Sequence, residues 1–516
     1  MQSTTAPLSA LPDDEAYQAL RDHDARFDGR LFIGVTSTGI YCRPVCRVKP
    51  PKRENCRFFA NAALAETQGF RPCLRCRPEL APGLSFTDSS GVLADQAARW
   101  LAQAAHEGQD PRLPAIAARL GVTDRHLRRI FSRRHGVTPV AWLGTQRLLL
   151  AKQLLTDTSL PVTQVALASG FGSLRRFHAA FAGRYRLSPS ALRREGAAEP
   201  GALRLAWRPP FDIDGLLGFI ARRAVPGQEQ VDGLVLRRTL VVPHPGQPDQ
   251  PDQHVAGWIE ARFLPERHEL HLAAAPSLRP ALGTLLQRAR HVFDLDADPA
   301  AIDPVLGSVP GPARAGIRLP GSWDGFETAV RVVLGQQVSV AAARTLCQRL
   351  VQRFGSAIDT PFPGLDRLFP SAAVLAAADP ADIGTLGIVR QRVRALQALA
   401  QAVADGRLQL QPGADVATTL AALTALPGIG DWSAQLIVLR TLGWPDAWPA
   451  ADIALLKALG QTAATRNPAA GSAIAEAWRP WRGYAVFKLW LSLEHPLEHP
   501  LEHPLQHPPE HPQDCP

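Results

Sequence analysis

Tyr41-Cys42-Arg43-Pro44-Val45-Cys46 and, further along, Arg71-Pro72-Cys73-Leu74-Arg75-Cys76 carry four thiols in two close pairs. Three residues separate Cys42 from Cys46 and two separate Cys73 from Cys76, so both sulfurs of each pair can reach one ion. Thiolates are soft ligands, and two such pairs joined by a loop can converge on one tetrahedral Zn2+. By spacing alone this is a closed structural zinc site. Residues 1–85 hold few other periodic signals, only a strand-like Leu31–Val35 and a helical Asn61–Thr67. A domain so poor in apolar residues needs its ion to fold.

Five of the seven cysteines fall within residues 42–76, which suggests no chain-wide disulfide framework and fits a reducing compartment. The start MQSTTAPLSALPDDEAYQAL lacks the basic and apolar regions of a secretory leader, and no apolar run is long enough for a membrane span. The expectation is a soluble intracellular protein with no membrane partner. At 516 residues, 46% hydrophobic and 20% charged, the chain should form several globular domains. Its net charge of +9 favours an anionic partner. Residues 112–194 concentrate that charge: fifteen Lys or Arg against Asp124 and Asp157 alone.

The same segment repeats itself. Ala117-Ala118-Arg119-Leu120-Gly121-Val122-Thr123, with Leu127 and Phe131, returns as Ala166, Gly170-Phe171-Gly172-Ser173, Phe177 and Phe181. Val137-Thr138-Pro139 returns as Leu187-Ser188-Pro189. Each copy reads as a helix, a glycine turn, an N-cap hydroxyl and a second helix rich in Arg: a helix-turn-helix. Arg125, Arg128, Arg129, Arg175 and Arg176 are the candidate DNA-binding residues, and two copies suit two successive major grooves. A plain helical bundle with solvated arginines is the blander alternative.

Residues 90–194 resemble an AraC-type DNA-binding domain. Gly39-Ile40-Tyr41-Cys42-Arg43-Pro44, Arg57-Phe58-Phe59-Ala60-Asn61 and Gly69-Phe70-Arg71-Pro72-Cys73-Leu74-Arg75-Cys76 resemble the metal domain of the Ada family of alkylation-response regulators. That resemblance implies Zn2+ on Cys42, Cys46, Cys73 and Cys76. It also implies that Cys42 takes a methyl group from a DNA phosphotriester, and that the lost negative charge strengthens DNA binding. The Pro-Cys-His-Arg motif of a second methyltransferase domain, common in that family, is absent from the sequence, so direct base demethylation is not expected.

Beyond a small-residue linker at 195–201, strand-like runs at Leu203–Trp207, Leu234–Val242, Gly257–Phe263 and Glu269–Leu272 alternate with helical Asp214–Arg223 and Pro280–Phe293. From Gly321 the helices are long and apolar-faced, through Phe326, Val330 and Val333, then Val338, Leu346, Leu350 and Phe354. Leu493–Pro512 is five tetrapeptides of the Leu-Glu-His-Pro kind, whose regular Pro excludes a helix and predicts a disordered tail.

A second chemical centre lies at Leu426-Pro427-Gly428-Ile429-Gly430. Its glycines let backbone N–H groups approach a phosphate beside the next helix's positive end. With Pro449-Ala450-Ala451-Asp452 it resembles the helix-hairpin-helix DNA glycosylases. The likeness to the AlkA branch, the 3-methyladenine glycosylases, spans residues 203–490 and includes Trp207-Arg208-Pro209-Pro210-Phe211-Asp212, Leu334-Gly335-Gln336 and Trp478-Arg479-Pro480-Trp481-Arg482. It implies that Asp452 is the catalytic carboxylate, that Trp432, Phe219 and Trp490 form the aromatic pocket, and that Gly428 and Gly430 meet DNA. Leu436 and Ile453 stand where that branch carries tyrosines, and Gln337 replaces its leucine wedge.

An N-alkylated purine already carries positive charge and leaves readily. The site must supply an aromatic face for the cation and one carboxylate for the developing oxocarbenium ion. Asp452 equally suits a helix N-cap, and the two roles are compatible. The hairpin position where bifunctional members carry a lysine nucleophile holds Trp432, so hydrolysis without strand cleavage is expected. Only Cys347 and Cys515 lie in this half, too few for an iron–sulfur cluster, and Cys347 reads as a core residue.

The expected architecture is multidomain α+β. A small zinc-binding methyl-acceptor domain (1–85) precedes an all-α tandem helix-turn-helix domain (89–195), an α+β domain like the AlkA N-terminal one (203–313), an all-α helix-hairpin-helix glycosylase domain (314–492) and the tail (493–516). The resemblances imply Zn2+ as cofactor, alkylated and promoter double-stranded DNA and RNA polymerase as partners, and a cytoplasmic, bacterial nucleoid-associated protein. They leave the oligomeric state open. A zinc-stabilised transcription regulator whose C-terminal half binds damaged DNA without catalysis is the rival.

Overall fold

The computed structural model describes residues 12–82, 92–195, 202–243, 254–462 and 464–494. The linker (apart from Glu195), the Pro- and Gln-rich segment before His254 and the tetrapeptide tail beyond Glu494 lie outside the described residues. No helix among the described residues is long and apolar enough to cross a membrane.

The zinc module begins with a helix that no periodic pattern announced, α1 (Asp13–Arg21), followed by β1 (Phe32–Val35), β2 (Ile40–Cys42), β3 (Cys56–Phe59), α2 (Ala62–Thr67) and β4 (Arg71–Pro72). The sheet order is β3-β1-β2-β4. β2 and β4 run parallel with Tyr41 beside Pro72, and the Cys73 N–H donates to the Tyr41 carbonyl at 2.9 Å. Cys42 and Cys73 therefore leave neighbouring strands side by side. Asn61, read as the first residue of the helical stretch, instead caps α2 by accepting from the Leu64 N–H.

Next come α3 (Val92–His106), α4 (Leu113–Arg119), α5 (Asp124–His135), α6 (Pro139–Asp157), α7 (Val162–Ala168), α8 (Leu174–Tyr185) and α9 (Pro189–Glu195). The repeat is real in three dimensions. Thr123 and Ser173 cap the paired helices α5 and α8, and Gly121 and Gly170 take left-handed φ of 67° and 75° in the two turns. The cores differ, however. Phe131, Leu127 and Trp142 close a core of their own, whereas Phe177, Phe181 and Tyr185 pack into one continuous with Leu203 and Leu205 of the following sheet.

The α+β unit consists of β5 (Leu203–Ala206), α10 (Ile213–Arg223), β6 (Glu229–Asp232), β7 (Val235–Pro243), β8 (His254–Leu264), β9 (Glu269–Ala274), α11 (Leu282–Val292) and α12 (Pro299–Leu306). Its antiparallel sheet has the order β5-β9-β8-β7-β6. β6 and α12 went unread because Glu229–Asp232 is polar and α12 carries Pro304 inside it.

The last unit is helical: α13 (Gly325–Leu334), α14 (Val340–Phe354), α15 (Ala372–Ala377), α16 (Pro380–Gly384), α17 (Arg390–Ala404), α18 (Val416–Thr424), α19 (Asp431–Thr441), α20 (Ile453–Ala458), α21 (Pro468–Ala475) and α22 (Arg482–Glu494). Val338, read as part of an apolar helix face, lies in the turn between α13 and α14. Cys347 is a core residue as expected, and burial pushes its thiol up to about 12.

The four units are braced against one another. α6 is buried along its C-terminal half on every side, including Lys152 and Asp157. Lys152 Nζ reaches Glu79 at 2.6 Å, and Arg77 bridges Glu79 at 2.9 Å and Asp157 at 2.5 Å. Burial opposes ionisation of Glu79, but Lys152 and Arg77 outweigh it and hold the carboxyl below its usual value. Asp157 in turn accepts from the Arg204 N–H of β5 at 3.4 Å. On another side Arg119 lies 4.1 Å from the Trp100 ring and donates to the Gly413 carbonyl of the last unit at 2.9 Å. Tyr41, beside Cys42, donates to buried Glu66, which also accepts from Thr145 of α6 and lies 3.6 Å from Arg184 of α8.

Removing one member of a buried ion cluster strands the others, at a cost of about 3–5 kcal/mol. Glu79→Leu should lower stability by that amount in a thermal or urea melt, and Glu79→Leu with Lys152→Met should recover part of it. A single variant melting like the wild type would show that the cluster does not hold the zinc module to α6.

Candidate active and metal sites

At the first centre the sulfurs of Cys42, Cys46, Cys73 and Cys76 all lie within 4.8 Å of one another. A Zn–S length of about 2.3 Å in a tetrahedron sets sulfurs about 3.8 Å apart, so the arrangement fits zinc. Burial and the three neighbouring sulfurs push the Cys76 thiol well above its usual value, so four thiolates share this space only around a cation. Cys42, Cys46 and Cys73 are buried, and Cys76 is half-buried. The Arg43 N–H donates to Cys76 Sγ at 3.3 Å, while the Arg43 guanidinium is locked on buried Asp28. Cys56, close in sequence, points elsewhere and donates to the Lys52 carbonyl at 3.4 Å.

The helix-turn-helix arginines Arg125, Arg128, Arg129, Arg175 and Arg176 are all exposed on α5 and α8. Arg128 also pairs with Asp124 at 3.0 Å. The basic count overstated this face. Arg134 pairs with Asp95, Arg147 with Asp110 and Lys152 with Glu79, and Arg193 donates to the Leu160 carbonyl. Long cationic side chains satisfy buried carboxylates and helix-end carbonyls, which charge counting along the chain does not reveal.

The second centre is assembled from three helices. Asp452 is 7% exposed and caps α20, its Oδ1 accepting from the Leu455 N–H at 2.9 Å. Trp432, in the first turn of α19, donates its indole N–H to Asp452 Oδ2 at 2.8 Å. Trp490 of α22 donates to Oδ1 at 3.3 Å. Three N–H donors thus fix one carboxylate between two half-buried indoles. No spacing in the sequence announced these bonds, since Trp490 lies 38 residues from Asp452.

Phe219 is not an open wall. It is 2% exposed, stacks on Trp490 with centroids 6.2 Å apart and planes at 7°, and has the Arg223 guanidinium 3.6 Å from its ring. It supports Trp490 from behind. Leu436 is buried and Ile453 is 60% exposed, so of the two tyrosine replacements only Ile453 faces solvent beside Asp452.

Gly428 has φ of +77°, and a Cβ there would sit 3.0 Å from Ala395 of α17, so the hairpin needs glycine. Gly430 caps α19 without a side-chain bond. Pro427, Gly428, Gly430 and Asp431 are exposed at that end, where the first amides of a helix have no acceptor within it. Gln337 is exposed at the tip of the α13–α14 turn with φ of +56°. Its neighbour Gln336 donates to the Gly428 carbonyl and to Ser433, each at 2.9 Å. The Gln336 side chain therefore ties the turn to the hairpin.

Four family descriptions match the chain in order. They are "Metal binding domain of Ada" over residues 15–79, "Helix-turn-helix domain" over 116–195, "AlkA N-terminal domain" over 202–324 and "HhH-GPD superfamily base excision DNA repair protein" over 330–483. The "Probable bifunctional transcriptional activator/DNA repair enzyme AlkA" of Mycobacterium tuberculosis is 38% identical over 94% of this chain and 97% of its own. "DNA-3-methyladenine glycosylase 2" of Escherichia coli is 37% identical over 55% of this chain and 95% of its own length. "Bifunctional transcriptional activator/DNA repair enzyme Ada" of Escherichia coli is 35% identical over 32% of this chain and 44% of its own.

Proposed function

Because the chain belongs to the family of bifunctional transcriptional activators and DNA repair enzymes, we propose that it repairs alkylated DNA at two centres and signals the damage through its paired helix-turn-helix units. The observation that carries the reading is the Asp452 carboxylate held by the indoles of Trp432 and Trp490.

In the glycosylase half, an N-alkylated purine such as 3-methyladenine, turned out of the duplex, lies against the indole faces, whose electron-rich rings attract its positive charge. Asp452 stabilises the oxocarbenium-like sugar and orients water as the C1′–N bond breaks, with the bond pair leaving on the neutralised base. No amine stands at the hairpin to form a Schiff base, so the product is an abasic site on an intact strand. Gly428, Gly430 and the amides after them take a DNA phosphate, and Gln337 enters the gap the base leaves.

In the sensor half, Cys46, Cys73, Cys76 and Cys42 hold Zn2+, which when bound keeps the acceptor sulfur ionised. Cys42 Sγ forms the bond to the methyl carbon, the carbon–oxygen bond breaks, and the electron pair stays on a phosphodiester oxygen. The methylated site loses negative charge, which strengthens its attraction to DNA, and the exposed arginines of α5 and α8 then hold promoter DNA for RNA polymerase.

Purified zinc-loaded protein incubated with DNA bearing radiolabelled methyl groups should give both protein-bound label and free methylated base. Absence of released base would favour a regulator that binds damage without excising it, and absence of protein-bound label would refute the sensor.

A further inference from the structure

A cavity of about 480 Å³ opens where the zinc module meets the five-stranded sheet. One wall carries Arg47, Arg75 and Cys76, and the other Arg204, Arg267 and His268. Arg47, Arg75 and Arg267 are exposed, and none of the three has an ion pair or hydrogen bond among the described residues. Two of the cavity's carboxylates are engaged elsewhere: Asp28 accepts from Arg43 at 2.8 Å and Glu269 bonds to His271 at 3.1 Å. Glu266 alone faces three unpartnered guanidiniums.

The turn that carries Arg267 is held in place. It joins β8 to β9, ends on His268 in the left-handed region with φ of +52°, and its His268 carbonyl accepts from the Trp207 N–H at 3.1 Å. The Trp207 indole lies edge-on to the His268 ring with centroids 6.4 Å apart. The turn thus sets Arg267 at the rim opposite Arg47 and Arg75, with half-buried Cys76 lining the cavity on their side.

We propose that this cavity seats a phosphate of the DNA backbone, and that Arg267, from the repair half of the chain, is a DNA-binding residue of the metal centre. The inference rests on the sensor reading above. Guanidiniums match phosphate oxygens in pairs, and three without carboxylate partners around one opening leave that charge for a ligand. All three are open to solvent, which suits a long polyanion crossing the mouth better than an enclosed small ion. The DNA-contacting surface beside the metal centre is then shared by two domains, and the zinc module alone lacks the wall that carries Arg267.

The test uses the full zinc-loaded chain. Arg267→Glu should raise the duplex concentration that half-saturates methyl transfer by about tenfold, and lower its slope against log salt by about one. Arg267→Lys, which keeps the charge, should retain most of the affinity, with melting temperature and zinc content verifying both folds. Duplex DNA should protect Arg267 from phenylglyoxal, read by peptide mass spectrometry, and inorganic phosphate should not. Unchanged half-saturation and slope in Arg267→Glu, no protection by duplex, or equal protection by inorganic phosphate would each overturn the inference. A wild type that transfers no methyl refutes the sensor itself, and the protection measurement still decides whether Arg267 meets DNA.

Discussion

Asp452→Asn is expected to cut release of 3-methyladenine from alkylated DNA by about 10²–10⁴-fold, the range typical of losing a positioned carboxylate or an electrostatic stabiliser. The substitution keeps size and keeps the N-cap, because an amide oxygen still accepts from the Leu455 N–H and Asn caps helices about as well as Asp. It removes the negative charge the oxocarbenium ion needs. It also turns an NH2 toward an indole N–H that now donates to Oδ2, so Trp432 loses its partner. Binding to a duplex with an abasic-site analogue should change little, since the hairpin amides and Gln337 are untouched. Single-turnover release at wild-type rate would remove Asp452 from the chemistry and leave it a helix cap.

Cys42→Ala is expected to abolish transfer of labelled methyl from phosphotriester DNA to the protein. It should leave Cys46, Cys73 and Cys76 as zinc ligands, with weaker retention against a chelator. The geometry makes the outcome informative, because Cys42 is 6% exposed whereas Cys76 is the half-buried member of the four. If Cys42 is the acceptor, the methylated phosphate must reach a sulfur at the end of β2, and peptide mapping will find the added methyl on Cys42. A methyl mapped to Cys76, or transfer persisting in Cys42→Ala at the wild-type level, would move the nucleophile to the sulfur that lines the Arg267 cavity.

Much of the fold is local and was therefore legible. Turn glycines at 121 and 170, hydroxyl caps at Thr123 and Ser173 and the apolar spacing between them specify two helix pairs without reference to anything distant. The two cysteine pairs are equally local, and only their parallel strand partners had to be supplied by folding. What was not legible either broke a local rule, as Pro304 inside α12 does, or depended on partners far along the chain. Lys152 illustrates the second case: one more cation in a basic segment by sequence, it is the buried partner of Glu79 in space.

The sequence by itself determined the order of the four units and the two cysteine pairs, because each is written in residue types at short spacings, and it pointed to Asp452 only through the resemblance to the helix-hairpin-helix glycosylases. Only the tertiary structure decided that Trp432 and Trp490 converge on Asp452, that Phe219 stands behind Trp490, and that Arg267 faces the zinc module. The physical reason is range. Caps, turns and chelating pairs act within a few bonds, whereas a carboxylate's donors and a cavity's walls are set by how separate hydrophobic faces bury one another.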